Sequence, residues 1–102
     1  MSGTLFINTS AINTAKVAIE IDGKRFEKIR ESKVMKSQTV LPLIEELLKE
    51  KHISLKDITG ITVITGPGSF TGLRVGVSIA NALGFLLQIP VNDDKGLATP
   101  TY

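Results

Sequence analysis

Apolar positions along this chain follow two different periods. Thr4 to Asn8 brings Leu5, Phe6 and Ile7 together, the pattern of a short strand covered on both faces, and Asn8-Thr9-Ser10 reads as a polar turn. From Ala15 to Ile21 the residues alternate, with Val17, Ile19 and Ile21 on one side and Lys16, Ala18 and Glu20 on the other. Asp22-Gly23 follows, the strongest short-range hairpin signal. A returning strand is predicted over Arg25 to Lys33. Its Phe26 and Ile29 lie three apart, so a bulge or a charged sheet edge is expected there.

After Met35 the period changes to that of a helix. Val40, Leu43, Ile44, Leu47 and Leu48 share one face and Glu45, Glu46 and Lys49 the other, which predicts an amphipathic helix over about Thr39 to Lys51. Pro42 fits if it lies in the first turn, where its missing N–H has no partner to lose. Ser54-Leu55-Lys56-Asp57 has capping-box spacing with Asp in the Glu/Gln position and predicts a short helical turn. Gly60 then opens a strand, and Ile61 to Thr65 is β-branched throughout. Gly66 to Gly72 is a glycine-rich loop, and Leu73 to Gln88 a second helix ended by Pro90. Val91 is apolar enough to begin another strand, and residues 92–102 are expected to form a flexible tail. The order β-β-β-α-β-α predicts one α/β domain with a mixed sheet.

Two features carry functional information. A strand, a glycine-rich loop and a helix in succession make a common phosphate cradle, because glycines admit close approach and the helix start offers free N–H groups. Gly66, Gly68, Ser69, Thr71, Gly72 and Arg74 are therefore candidate phosphate contacts. The loop fits neither the Walker pattern, since no Gly-Lys-Ser/Thr follows, nor GxGxxG, since Thr71 stands at the third glycine position. The other reading is that these glycines simply make a tight turn. The second feature is the stripe Gly72, Gly76, Ala80 and Gly84, spaced every four residues along a helix that is apolar on nearly every side. Interior glycine costs about 1 kcal/mol relative to alanine, which points to a compensating close contact. The contact can be with another subunit or with the rest of a small α/β domain. The subunit reading places a partner interface on Leu43, Leu47, Gly72, Gly76, Ile79, Ala80, Leu83 and Gly84.

Composition narrows the remaining chemistry. The chain of 102 residues is 42% hydrophobic, enough for one core with little surplus stability. Twelve Lys and Arg against ten Asp and Glu leave a net charge of +2, scattered rather than gathered into a nucleic-acid stripe. Without cysteine there is no disulfide, thiolate site or Cys nucleophile, and the single His52 excludes a multi-His metal site. His52 reads as a solvated or helix-terminal residue, Asp57 as a cap, and Ser69 has no histidine base at motif spacing. No run approaches the ~20 apolar residues that span a bilayer, so a soluble, unexported protein is expected.

Gly66 to Gly76, GPGSFTGLRVG, closely resembles the signature of the TsaB (YeaZ) family. LFINTS, KSQTVLPLIEELL and SLKDITGITVITG resemble that family's opening strand, its first helix and the approach to the signature, so the resemblance covers about Gly3 to Gly96. It implies the N-terminal half of an actin-like (ASKHA, ribonuclease H-like) fold, without the family's second subdomain. It also implies a cytoplasmic, non-catalytic role beside a TsaD-like catalytic subunit that transfers threonylcarbamoyl to an adenosine next to the tRNA anticodon. A TsaE-like ATPase as further partner, homodimers when the chain is alone, and tRNA contact only through the complex follow from the same resemblance. No cofactor is expected on this chain alone, with ATP or ADP confined to the complex, and no metal or membrane is expected. Asn8 stands where the family usually has aspartate, which weakens any case for hydrolysis here. The enzyme alternative is a fragment of a nucleotide-dependent protein that uses the 66–72 loop for phosphate and Asp93 or Asp94 as a ribose ligand.

Overall fold

A computed structural model describes residues 2–31 and 37–93. Strands β1 (Gly3–Asn8), β2 (Thr14–Ile21) and β3 (Lys24–Glu31) are followed by helix α1 (Ser37–Glu50), a single 3-10 turn (Leu55–Asp57), strand β4 (Ile58–Val63) and helix α2 (Phe70–Leu87). The sheet order is β3-β2-β1-β4, with β1 antiparallel to β2 and parallel to β4. The predicted element order and mixed sheet are those observed.

Asp22 and Gly23 both take positive φ, 52° and 77°, and Ile21 pairs directly with Lys24. This is the two-residue hairpin that Asp-Gly favours. No bulge interrupts the β2–β3 register. The irregular spacing of Phe26 and Ile29 is resolved by exposure, because β3 is the sheet edge and Ile29 is 61% exposed. Residues 32 and 33, the end of the strand as predicted, lie outside the described residues.

Both helices cover the same face of the sheet. Leu5, Ile7, Val17, Ile19, Ile61 and Val63 meet Val40, Leu43, Leu47, Val77 and Ala80 in one core. β1 is thus buried on one face only, a correction to the expectation of two: Phe6 points to the other side, where the Arg25 guanidinium lies 4.3 Å from its ring centroid. The apolar triplet Leu5-Phe6-Ile7 looked two-sided because an aromatic ring under a cation counts as apolar in sequence.

α1 starts two residues before the prediction, so Pro42 sits inside the helix instead of in its first turn. Its missing N–H forfeits one bond near the helix start. The helix is tied to the sheet edge by ion pairs Lys28–Glu50 and Arg30–Glu46, and by Lys51 4.7 Å from the Phe26 ring centroid. Arg30 donates to both Glu46 oxygens, at 2.5 and 3.1 Å. Those hydrogen bonds hold the Glu46 carboxyl below its ordinary range and raise Arg30. His52 ends α1 in the left-handed region (φ 54°), with the Ile53 N–H donating back to the Leu48 carbonyl at 2.9 Å. Ser54 and Asp57 complete the expected capping box.

α2 ends at Gln88, also left-handed (φ 56°), and Val91 then forms an isolated parallel bridge to Ile61. The predicted fifth strand is reduced to that contact, and residues 94–102, with Asp94 and most of the predicted tail, lie outside the described residues. One further expectation needs correction: α2, at 18 residues, is long and apolar enough to cross a membrane by length and composition. Here its inner side packs on the sheet through Leu73, Val77 and Ala80.

Candidate partner-binding surface and glycine-rich loop

The loop after β4 folds over the end of β1. The Ile64 N–H donates to the Ile7 carbonyl at 3.1 Å, which continues the parallel ladder, and a cis Gly66–Pro67 peptide follows. The Ser69 N–H donates to the Ser10 carbonyl at 2.8 Å. Gly68 lies so close to this turn that a Cβ there would stand 2.6 Å from Ser10 Cβ and 2.8 Å from the Ser10 carbonyl oxygen. Ser69 then caps α2, its hydroxyl accepting from the Gly72 N–H at 3.3 Å. The helix consequently begins at Phe70, three residues before the predicted Leu73, and Gly72 belongs to its first turn.

Thr9, fully buried, donates its hydroxyl to the Gly72 carbonyl at 2.5 Å. A Cβ on Gly76 would run into Thr9 Oγ1, and one on Gly84 would stand 2.5 Å from Val91 Cγ2. The small-residue stripe is therefore the imprint of the chain's own β1 terminus and Val91 on α2. Asn8 orders the same turn, since its Oδ1 accepts from the Ser10 N–H at 3.0 Å and the Ser10 hydroxyl at 2.6 Å. An amide suffices for that role.

The phosphate candidates are accordingly engaged inside the chain to a large degree. The Ser69 N–H, the Ser69 hydroxyl and the Gly72 N–H all have internal partners, and Gly68 packs on Ser10. Thr71 and Arg74 are exposed, with the Arg74 guanidinium 5.1 Å from the Phe70 ring centroid.

Of the eight residues assigned to a partner interface, Leu43, Leu47, Gly72, Gly76, Ala80 and Gly84 are buried within the chain. In the chain by itself they pack against its own core, Thr9 and Val91, so the exposed apolar surface lies beside the stripe and not on it. Ile79 and Leu83 are only partly buried. Leu83 lines an apolar groove of about 550 Å³ between the two helices, floored by Ile44, Leu48 and Ile53 and walled by Leu41 and Leu55. Leu41 and Leu55 are 48% and 45% exposed, Leu86 and Phe85 on α2 73% and 81%. Glu45 and Lys49 stand at the groove and give it a charge of each sign. Periodicity did not separate this outer surface from the inner stripe. The signal it missed was that Ile79, Leu83 and Leu86 form a row of their own at helical spacing.

A mixed sheet in the order β3-β2-β1-β4, covered on one face by α1 and α2, with a glycine loop over the β1 end, defines an actin-like α/β half-domain. Residues 31–93 match the family model described as "TsaD: tRNA N6-adenosine threonylcarbamoyltransferase". The tRNA threonylcarbamoyladenosine biosynthesis protein TsaB of Bacillus subtilis (strain 168) is 33% identical over 95 residues, which is 93% of this chain and 42% of that protein. A tRNA N6-adenosine threonylcarbamoyltransferase of Nitrosospira multiformis is 46% identical over 52 residues, 51% of this chain and 15% of that enzyme. Among solved structures, YeaZ from Pseudomonas aeruginosa superposes with a TM-score of 0.82 at 32% identity, covering 89% of this chain and 42% of that one. The chain belongs to this TsaD-type family and resembles its TsaB (YeaZ) members along most of its length. It spans about 42% of the length of those TsaB relatives.

Proposed function

We propose that this chain is a non-catalytic, cytoplasmic partner subunit in tRNA threonylcarbamoyladenosine synthesis, corresponding to the first subdomain of a TsaB-type protein. It pairs with a TsaD-type catalytic subunit, meets tRNA only through that complex, and self-associates when alone. The observation that carries this reading is the apolar groove between α1 and α2, to which α2 adds exposed Leu86 and Phe85 near its C-terminal end. Exposed apolar surface of this kind is what protein–protein interfaces use.

A TsaD-type occupant is supported by homology within the family: the TsaD family model matches this same segment, so the partner carries a comparable helix pair to lay against this one. Like surfaces pair naturally about a two-fold axis, which makes homodimers and heterodimers alternatives on one interface. The non-catalytic assignment is supported by Asn8, a neutral amide at the β1 terminus whose oxygen already serves Ser10. The internal bonding of the 66–72 loop favours an anchoring role for it, with nucleotide left to the complex.

The test is to mix the chain with a TsaD-type protein and measure mass by light scattering after chromatography. A complex containing one of each is expected. Two species eluting at their separate masses at micromolar concentration would overturn the proposal.

A further inference from the structure

β4 is a largely β-branched strand at the sheet edge, and Ile61 and Val63, whose side chains lie in the core, turn their backbone N–H and carbonyl groups away from β1, the kind of edge that invites another strand. Its backbone groups are nevertheless occupied. The Ile61 N–H donates to the Pro90 carbonyl at 3.0 Å, and the Ile61 carbonyl accepts from the Asn92 N–H at 2.7 Å. Two residues further on, a side chain takes over from the backbone. The Val63 N–H donates to Asn92 Oδ1 at 2.8 Å, and Asn92 Nδ2 donates to the Val63 carbonyl at 3.1 Å. One carboxamide thus satisfies both groups of Val63 as a neighbouring strand would.

Asn92 and Asp93 themselves have φ of 54° and 61°. The backbone leaves the extended conformation there, in a region that asparagine tolerates better than most residues. The orientation of the amide is dictated by its partners, because Val63 offers one donor and one acceptor and only Oδ1 toward the N–H and Nδ2 toward the carbonyl satisfy both. The opposite edge, β3, is guarded by charge, with Lys24, Arg25, Glu27, Lys28, Arg30 and Glu31 along it. β4 carries no charged residue and lacks that protection.

We infer that the Asn92 side chain is a plug that closes the β4 edge against strand addition by a second copy of this chain. The turn positions the plug and the amide supplies the bonds.

Asn92→Gly separates the two contributions, since glycine keeps the positive φ and deletes the amide. Asn92→Asp is the companion variant: it keeps shape and turn but at neutral pH cannot donate to the Val63 carbonyl. Amide hydrogen exchange is read at Val63 and, as internal reference, at Ile61, whose bonds are to backbone; mass is followed against concentration. The expected result for Asn92→Gly is at least a tenfold loss of protection at Val63 in dilute solution with Ile61 unchanged. Its mass should also exceed the parent's at each raised concentration. Asn92→Asp, should glycine loosen the turn, is expected to move both readouts in the same direction by less. Unchanged Val63 protection, loss of protection at Ile61 and Val63 together in both variants, or a mass curve superimposing on the parent's would each overturn the inference.

Discussion

Thr9 and Gly76 decide how α2 sits on the sheet. The Thr9 hydroxyl reaches the Gly72 carbonyl, and Gly76 leaves the room that the threonine side chain needs. Gly76→Ala would gain about 1 kcal/mol of helix propensity, yet it forces a buried, hydrogen-bonded side chain to move, an overpacking cost of about 1–3 kcal/mol. A net destabilisation is expected by urea denaturation. Gly60→Ala is the control: a Cβ there meets nothing within 4 Å, and the midpoint should stay or rise. Equal effects at the two glycines would contradict the packing account. Thr9→Val keeps shape and removes the donor, with an expected loss of about 0.5–1.5 kcal/mol. This scale was the least legible in the sequence. A stripe at four-residue spacing looks the same whether it faces inward or outward, and the group that settles it, Thr9, lies 63 residues from its hydrogen-bond partner Gly72.

Elements were legible where local chemistry was sufficient. Asp22-Gly23 fixes the β2–β3 register by itself, and the 3.6-residue period and the capping box need no distant partner. The start of α2 was missed because Ser69 is a cap only once its own N–H is anchored on Ser10. The Asn92 contact gave no sequence signal, since Asn-Asp-Asp reads as a polar turn. One element-level consequence concerns pH. The Arg30 hydrogen bonds hold Glu46 below its ordinary value of 4.5 in the folded chain, and Lys16 and Arg25 lower Glu27 likewise. A carboxyl whose folded pKa is depressed contributes stability that is present above about pH 4.5 and is lost as pH falls through the folded value. The urea midpoint should therefore be flat near neutrality and decline below pH 4.5, with a shallower decline in Glu46→Gln. Because the pairs are exposed, high salt should shrink the difference. An identical decline in parent and variant would show that the α1–β3 tie has no part in it.

On the scale of the whole molecule, the two sides of the fold are unlike. One side of the sheet is closed by α1 and α2, whose outer surface is apolar around the groove; the other carries Phe6, Lys16, Arg25 and Glu27 in cation–ring and ion-pair contacts. A partner recognised by apolar burial belongs on the helix side. The family and fold were readable from GPGSFTGLRVG and the element order, whereas the outward surface emerged only when the helices were seen against the sheet. The most direct test compares the affinity of a TsaD-type protein for the parent chain, for Leu86→Glu on the helix side and for Ile29→Glu, an exposed apolar position on β3. At least tenfold weaker binding is expected for Leu86→Glu, about 1.4 kcal/mol or more, and less than a twofold change for Ile29→Glu. Equal losses at both positions, or a loss at Ile29 alone, would contradict a partner on the helix side.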